Sequence, residues 1–433
     1  MCACTVACSA EASAAEVGAG EARAADTPAS LAPAFGITGF DFGGQLRPQW
    51  QSEQANPRGP LAQAVSLSPG IAVRPESGAT LETELRAGGH GLRGTATLQQ
   101  QRLEGQPGHS SAWVNELYAS GDAMGWQFGA GKKVVAWDVG YGFRPNDFVA
   151  QEARRTLLAT IPTGRPALTA EHFDASTAWS FVIVNPTKPQ AQRGAQEPAL
   201  AMRVYQRTGA VDWHGFARVG AHTGGSVGAA AAWVASEFVE LHASARFLHA
   251  TDTLALDKAT VDASPTGLVR SDPWLDATVR HAAQALVGGT WTNAEQITVL
   301  AEAWWDGTAL SNAQWIDWNA RNRRLGELIG TPAPVAAVAA ALAWQGSAFG
   351  AASNLCRANL FMRVGWTHDK WQPAFDVLYT PADAGRIVTA SLGWLGDRLR
   401  IDGGLRVYGG PDSAVLAQVP TRRIGYLSAT WAF

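Results

Sequence analysis

From Leu399 to Tyr408 the sequence LRIDGGLRVY alternates. Leu399, Ile401, Leu405 and Val407 fall on one side; Arg400, Asp402, Arg406 and Tyr408 fall on the other, with Arg398 just ahead of them. A period of two marks an extended strand whose two faces meet different surroundings.

The same pattern fills the chain. RIVTASLGWL sets Val388, Ala390, Leu392 and Trp394 on one face, and a turn at Gly396-Asp397 joins it to the next segment. KWQPAFDVLYT sets Trp371, Phe375, Val377 and Tyr379 against Gln372 and Asp376. NLFMRVGW, QITVLAEAWW, FVELHASARF, VDWHGFARVG and the final RRIGYLSATWAF repeat it. Many segments run about ten residues and end in Trp, Tyr or Phe, the length and aromatic tips expected of strands that cross a bilayer.

Composition agrees. Charged residues make up only 16%, against about 25% in soluble domains, while the mean hydropathy is −0.06. One apolar and one polar face per strand give that average. No apolar run reaches the roughly 18 residues of a spanning helix; the longest, residues 333–344, is too short. A soluble β-sandwich alternates too, but it does not predict repeated aromatic strand ends or rows of Arg facing carboxylates on the polar side. The expected fold is therefore all-β, a single antiparallel transmembrane β-barrel of about 16–18 strands. It occupies residues 35–433 and sits in a bacterial outer membrane.

Two stretches interrupt the strands. One runs over residues 140–166. The other runs over residues 308–354, with Ser311 or Asn312 as a helix N-cap and Gly330 as a stop. Loops this long are functional or disordered, and their Trp and apolar content points to ordered loops folding over or into the barrel. Residues 1–34, rich in Ala and Ser, read as an export-signal remnant and linker. Cys2, Cys4 and Cys8 crowd the start and Cys356 stands alone, a spacing that suits neither zinc nor a disulfide framework.

A net charge of −3 and a pI near 6.3 give no nucleic-acid signal. The nine His are scattered without paired-His metal spacing, so no metal, cofactor or enzymatic activity is expected. His242 beside Glu240, and His214 beside Asp212, share polar faces and make proton chemistry geometrically open; an ordinary hydrogen-bonded lumen is the simpler reading. The inward rows carry Arg246, Arg363, Arg398, Arg400 and Arg406, balanced in part by carboxylates that include Glu302, Asp376 and Asp402. Charge ladders in a wet lumen set solute selectivity, and the local excess at Arg398, Arg400 and Arg406 suggests an anion-attracting strip.

The stretch from Phe128 to Asp147, FGAGKKVVAWDVGYGFRPND, resembles an element of outer-membrane porin-like barrels of the alginate-export type. Gly131, Lys132, Trp137, Pro145 and Asp147 match that element, and Asp138 stands where those relatives usually carry Gly. The resemblance implies a passive channel, with export of an anionic polymer as one use, and an inward-folded loop. Lys132, Lys133, Arg144 and Asp147 are then the candidate constriction residues. The terminal Phe433 is similar to the recognition signal read by the outer-membrane assembly machinery. A channel for hydrophilic solutes, anionic ones among them, is the leading expectation. A scaffold barrel holding a periplasmic partner without an open pore, and a barrel-embedded hydrolase, are the alternatives.

Overall fold

The computed structural model describes residues 39–72, 77–149, 157, 161–188, 196–270, 272–350 and 353–433; the expected export remnant lies outside them. Among the described residues there are 18 strands. In chain order they are β1 (Asp41–Ala55), β2 (Gly78–Gly89), β3 (Leu92–Leu103), β4 (His109–Ala123), β5 (Trp126–Lys133), β6 (Arg165–Phe173), β7 (Thr177–Val184), β8 (Ala199–Thr208) and β9 (Val211–Gly220). There follow β10 (Gly224–Val234), β11 (Val239–Leu256), β12 (Trp274–Thr292), β13 (Ile297–Asp306), β14 (Ala358–Trp366), β15 (Trp371–Thr380), β16 (Gly385–Leu395), β17 (Leu399–Gly409) and β18 (Thr421–Ala432).

Each strand pairs antiparallel with the next, and β18 returns to β1, so the sheet has no edge. At the seam, Gly44 N donates to Phe433 O and Phe433 N donates to Gly44 O, both at 3.0 Å. A Cβ at Gly44 would stand 2.8 Å from the Phe433 ring, so the ring lies across a position that only glycine leaves clear. Closure leaves no strand edge with a row of unpaired N–H and C=O groups, the condition for a sheet in contact with hydrocarbon.

The faces sort as the alternation requires. Leu405, Leu427 and Trp431 point outward and are exposed, while Arg406, Tyr426 and Ser428 point inward and are buried. Trp213, Trp233, Trp291, Trp366, Trp371 and Trp431 all lie within three residues of one end of their strands and are exposed, forming a girdle there. That end is built from tight turns. His90-Gly91 and Met124-Gly125 both have positive φ at the two central residues (49° and 76°, 52° and 77°), the geometry whose twist matches a hairpin. The opposite end carries the long connections: residues 56–77, 134–164, 257–273, 307–357 and 410–420.

There the helices α1 (Pro60–Leu67), α2 (Lys258–Val261), α3 (Pro265–Arg270), α4 (Asn312–Glu327) and α5 (Val335–Trp344) pack into a cap around Ala64, Leu268, Leu325, Val338, Ala341 and Leu342. The Ser311 hydroxyl accepts from Gln314 N, and the Gln314 side chain accepts from Ser311 N, a complete capping box on α4. The buried Arg321 ties the cap together. Its Nη1 donates to Thr260 O (2.9 Å), its Nη2 to Leu268 O (2.8 Å) and its Nε to Gln345 Oε1 (3.1 Å). Burial lowers its pKa to about 10, so it remains charged at neutral pH.

One expectation is corrected. The inward faces are not polar throughout. Phe361, Leu378, Ile387, Tyr408 and Ile424 point inward near the long-loop ends of β14–β18, and all are buried in one core with Trp315, Trp318, Phe349 and Leu416. The cap reaches into the mouth, and these positions trade water for side-chain contact.

Candidate functional site

The connection between β5 and β6 turns into the lumen, and two kinds of contact hold it. Val135, Trp137, Phe148 and Val149 pack on the small and apolar inward residues of β6–β10, among them Ala167, Val182, Ala201, Phe216 and Ala230. The other side meets a polar row on β10–β13 at about mid-height. Glu302 on β13 accepts the backbone N–H of Tyr141 (2.7 Å, Oε1) and of Gly142 (2.6 Å, Oε2). Asp138 Oδ2 accepts from Asn146 N (2.6 Å) and from the Ser244 hydroxyl (2.9 Å). Asn146 Nδ2 donates to Ser244 Oγ (2.9 Å) and Ala245 O (3.1 Å). Arg246 Nη1 donates to Pro145 O (3.2 Å), and its guanidinium lies 4.3 Å from the Phe148 ring centroid.

These bonds answer a backbone need. A chain crossing a barrel leaves the sheet and must find new acceptors for its N–H groups. Carboxylates supply the strongest ones, about 1.5–3 kcal/mol each. Burial pushes the Asp138 carboxyl above the usual carboxylate range, opposed by the Asn146 N–H and the Ser244 hydroxyl.

The rest of the wall carries paired charges. Lys133 Nζ lies 3.2 Å from Glu171 Oε2, and Arg47 Nη1 lies 3.3 Å from Glu82 Oε2. Arg363 Nη1 lies 3.2 Å from Asp376 Oδ1. Arg400 grips Asp402 through Nε (2.7 Å) and Nη2 (3.0 Å). Gln45 and Gln99 donate to Glu84 (2.8 Å) and Glu82 (3.1 Å).

Of the residues expected at the constriction, Arg144 and Asp147 do lie on the inserted loop, where Arg144 Nε donates to Gly140 O (2.6 Å) and Asp147 is buried. Arg246 joins them from the wall. Lys133 faces inward. Lys132 does not: it pairs with the outward Leu117, and its Nζ donates to Val114 O (2.5 Å). Alternation alone sets Lys132 on the face of Phe128 and Ala130. Arg363, Arg400 and Arg406 line the wall, and Arg406 is fully buried, its Nε donating to Thr389 Oγ1 (3.0 Å). Arg398 leaves that row; it stands at the short-turn rim, lining an outer groove beside Phe433. Residues 150–156 and 158–160 of the expected loop lie outside the described residues.

The His pairs diverge. His242 is enclosed, with Nε2 3.0 Å from Glu302 Oε1 and Nδ1 3.6 Å from Glu240 Oε1. Asp212 instead takes the Tyr205 hydroxyl (2.7 Å), and His214 Nδ1 meets Arg203 Nη2 (3.2 Å). Gly224 to Gly228, GGSVG, has the spacing of a serine nucleophile elbow, a signal missed in the reading of the sequence. It lies inside β10, not at a strand-to-helix turn, and Ser226 Oγ accepts from Arg246 Nη2 (3.3 Å). Among the described residues no group of three or more His, Cys, Asp or Glu is placed to hold a metal ion.

Glu302, Asp138, Asn146 and Ser244 carry the latch, and sequence reasoning did not assign it to them. The one available signal was Asp138, the position that departs from the alginate-export element.

No protein-family model matches the chain, and no curated relative matches it. Solved structures similar to it include engineered mutants of Rh. blastica porin. One is 10% identical, with a TM-score of 0.43, over 91% of this chain and 100% of that one. A second has the same identity and coverage with a TM-score of 0.41. Similarity at this level carries nothing about solutes or site residues.

Proposed function

We propose that this barrel is a passive outer-membrane channel for hydrophilic solutes, with the inserted loop as its constriction. The observation that carries the reading is the Glu302 carboxylate holding the N–H groups of Tyr141 and Gly142 inside a closed barrel with an apolar exterior. A wall that only had to be stable would not need a loop fixed against its inner face at mid-height. The matching positions Gly131, Lys132, Trp137, Pro145 and Asp147 support membership of the alginate-export type. Phe433, at the end of the closing strand, suits a signal for the assembly machinery.

For solute class, we read a weak preference for anions. Arg400 on the inward row favours it, while its pairing with Asp402, the burial of Arg406 and the outward turn of Arg398 limit it. An anionic polymer remains one candidate within that class. Single-channel recording of the purified protein tests the proposal: discrete, ohmic conductance is expected, and a folded barrel with no conductance overturns it.

A specific observation favours a second reading. The apolar packing of Phe361, Ile387 and Tyr408 beneath α4 stoppers one side of the mouth, as a scaffold holding a periplasmic partner would permit. Absent conductance together with a co-purifying protein would favour it. A hydrolase would need an accessible base, and His242 is enclosed by the loop.

A further inference from the structure

On the outer rim at the long-loop end, β16, β17 and β18 and the 56–77 connection enclose a cavity of about 320 Å³. Arg58, Arg386 and Arg422 stand in its lining, and Val388 and Val407 are its apolar part. The valines belong to the outward rows of β16 and β17, so the cavity opens from the lipid-facing surface. Arg58 is bonded to Asp412 (2.5 Å). Arg386 and Arg422 are exposed and have no hydrogen-bond or ion-pair partner among the described residues.

Two exposed guanidiniums beside an apolar strip are a poor arrangement for an empty wall. Both stand in one lining with no carboxylate among its residues, and the Val surface beside them belongs to the outward rows. A phosphate carries the charge they lack and accepts several N–H bonds at once. An acyl chain would continue along Val388 and Val407. Basic pockets at a membrane surface bind lipid headgroups. We propose that this cavity is a site for the phosphate headgroup of a membrane lipid, with Arg386 and Arg422 as its ligands and Arg58 at its edge. The inference rests on the membrane-barrel reading but not on an open pore.

The test is native mass spectrometry of the detergent-solubilised barrel titrated with dioleoyl phosphatidate, dioleoyl phosphatidylcholine and inorganic phosphate. One phosphatidate per barrel is expected. Its affinity should fall at least tenfold in Arg386→Gln/Arg422→Gln, and in Val388→Trp, which fills the floor without touching charge. Arg398→Gln, on the opposite rim, should bind as the parent does. Equal retention in both rim variants overturns the site. Binding of inorganic phosphate as tight as phosphatidate overturns the lipid assignment. Conductance measured on the same sample separates failure here from failure of the channel reading.

Discussion

His242 and Glu302 reach each other across an intervening strand: Nε2 lies 3.0 Å from Oε1, and both side chains are fully enclosed. The strand between them, β12, presents Gly288 to both, for Gly288 pairs with His242 on one side and with Glu302 on the other. A Cβ there would stand 2.6 Å from His242 Nε2 and 2.6 Å from Glu302 Cγ. The glycine is a gap that lets a polar bridge form over the sheet, and that bridge aims the carboxylate at the inserted loop.

Gly288→Ala should therefore push Glu302 off Tyr141 and Gly142. Two bonds to a charged acceptor are worth about 3 kcal/mol or more, enough to change the fraction of undocked loop by roughly two orders of magnitude. Planar-bilayer recordings should show larger mean conductance and more frequent transitions, and Glu302→Ala should do the same. Unchanged recordings from a folded barrel would mean the loop does not set the conductance.

Gly228 offers a test from the other side. A Cβ at that position would run into the Asn146 side chain and stand 2.7 Å from Ala245 O. Gly228→Ala should unseat the Asn146 end and raise hydrogen exchange across residues 138–149. Gly225, on the same strand, has open space around its Cβ position. Gly225→Ala should leave exchange as in the parent, so a shared effect would point to β10 itself rather than to the docked loop.

Charge selectivity should follow the partner that is removed. Asp402→Asn removes a negative charge from the wall beside Arg400 and should move the reversal potential toward anions. Arg400→Ala frees Asp402 and should move it toward cations, by a comparable amount. Arg406→Ala should matter little for selectivity, because Arg406 is fully buried. Equal reversal potentials for Asp402→Asn and Arg400→Ala would remove this pair from the conducting path.

The loop between β7 and β8 gives a pH dependence. Burial pushes Glu197 up, but the N–H groups of Thr223 and His222 and the Arg218 guanidinium outweigh it and hold its carboxyl below the usual range. A depressed carboxyl stabilises the fold above its unfolded value, and that contribution is lost as pH falls through the folded one. Heat-denaturation midpoints should drop between neutral pH and the bottom of the carboxylate range. Glu197→Gln should be less stable at neutral pH and should narrow that drop; a drop of the same size in both proteins would assign the acid sensitivity elsewhere.

What could be read ahead was whatever repeats locally. Leu405 and Arg406 declare a strand and its two faces within a few positions, and Ser311 with Gln314 declares a helix start. The latch is not local. Asp138 meets Ser244, and Tyr141 meets Glu302, only because the register of β10–β13 brings those residues to one height. No short window holds that information. Lys132 shows the opposite case: strict alternation would have faced it outward, and grouping it with Lys133 in a motif obscured this. Phe361, Ile387 and Tyr408 occupy inward positions among polar neighbours, and only the cap above them explains why they are apolar.

The seam between Gly44 and Phe433 joins the two ends of the barrel in sequence as well as in space. Every other strand pair forms between neighbours along the chain. This pair must close a loop of nearly the entire protein, at a chain-entropy cost of about 5 kcal/mol, and nothing else can form it earlier. Until β18 is made, β1 carries one bare row of N–H and C=O groups, open to pairing with any other strand. The order of events is thus built into the connectivity. The first strand waits longest, the final strand completes two partners at once, and the interval between them is when the chain most needs escort.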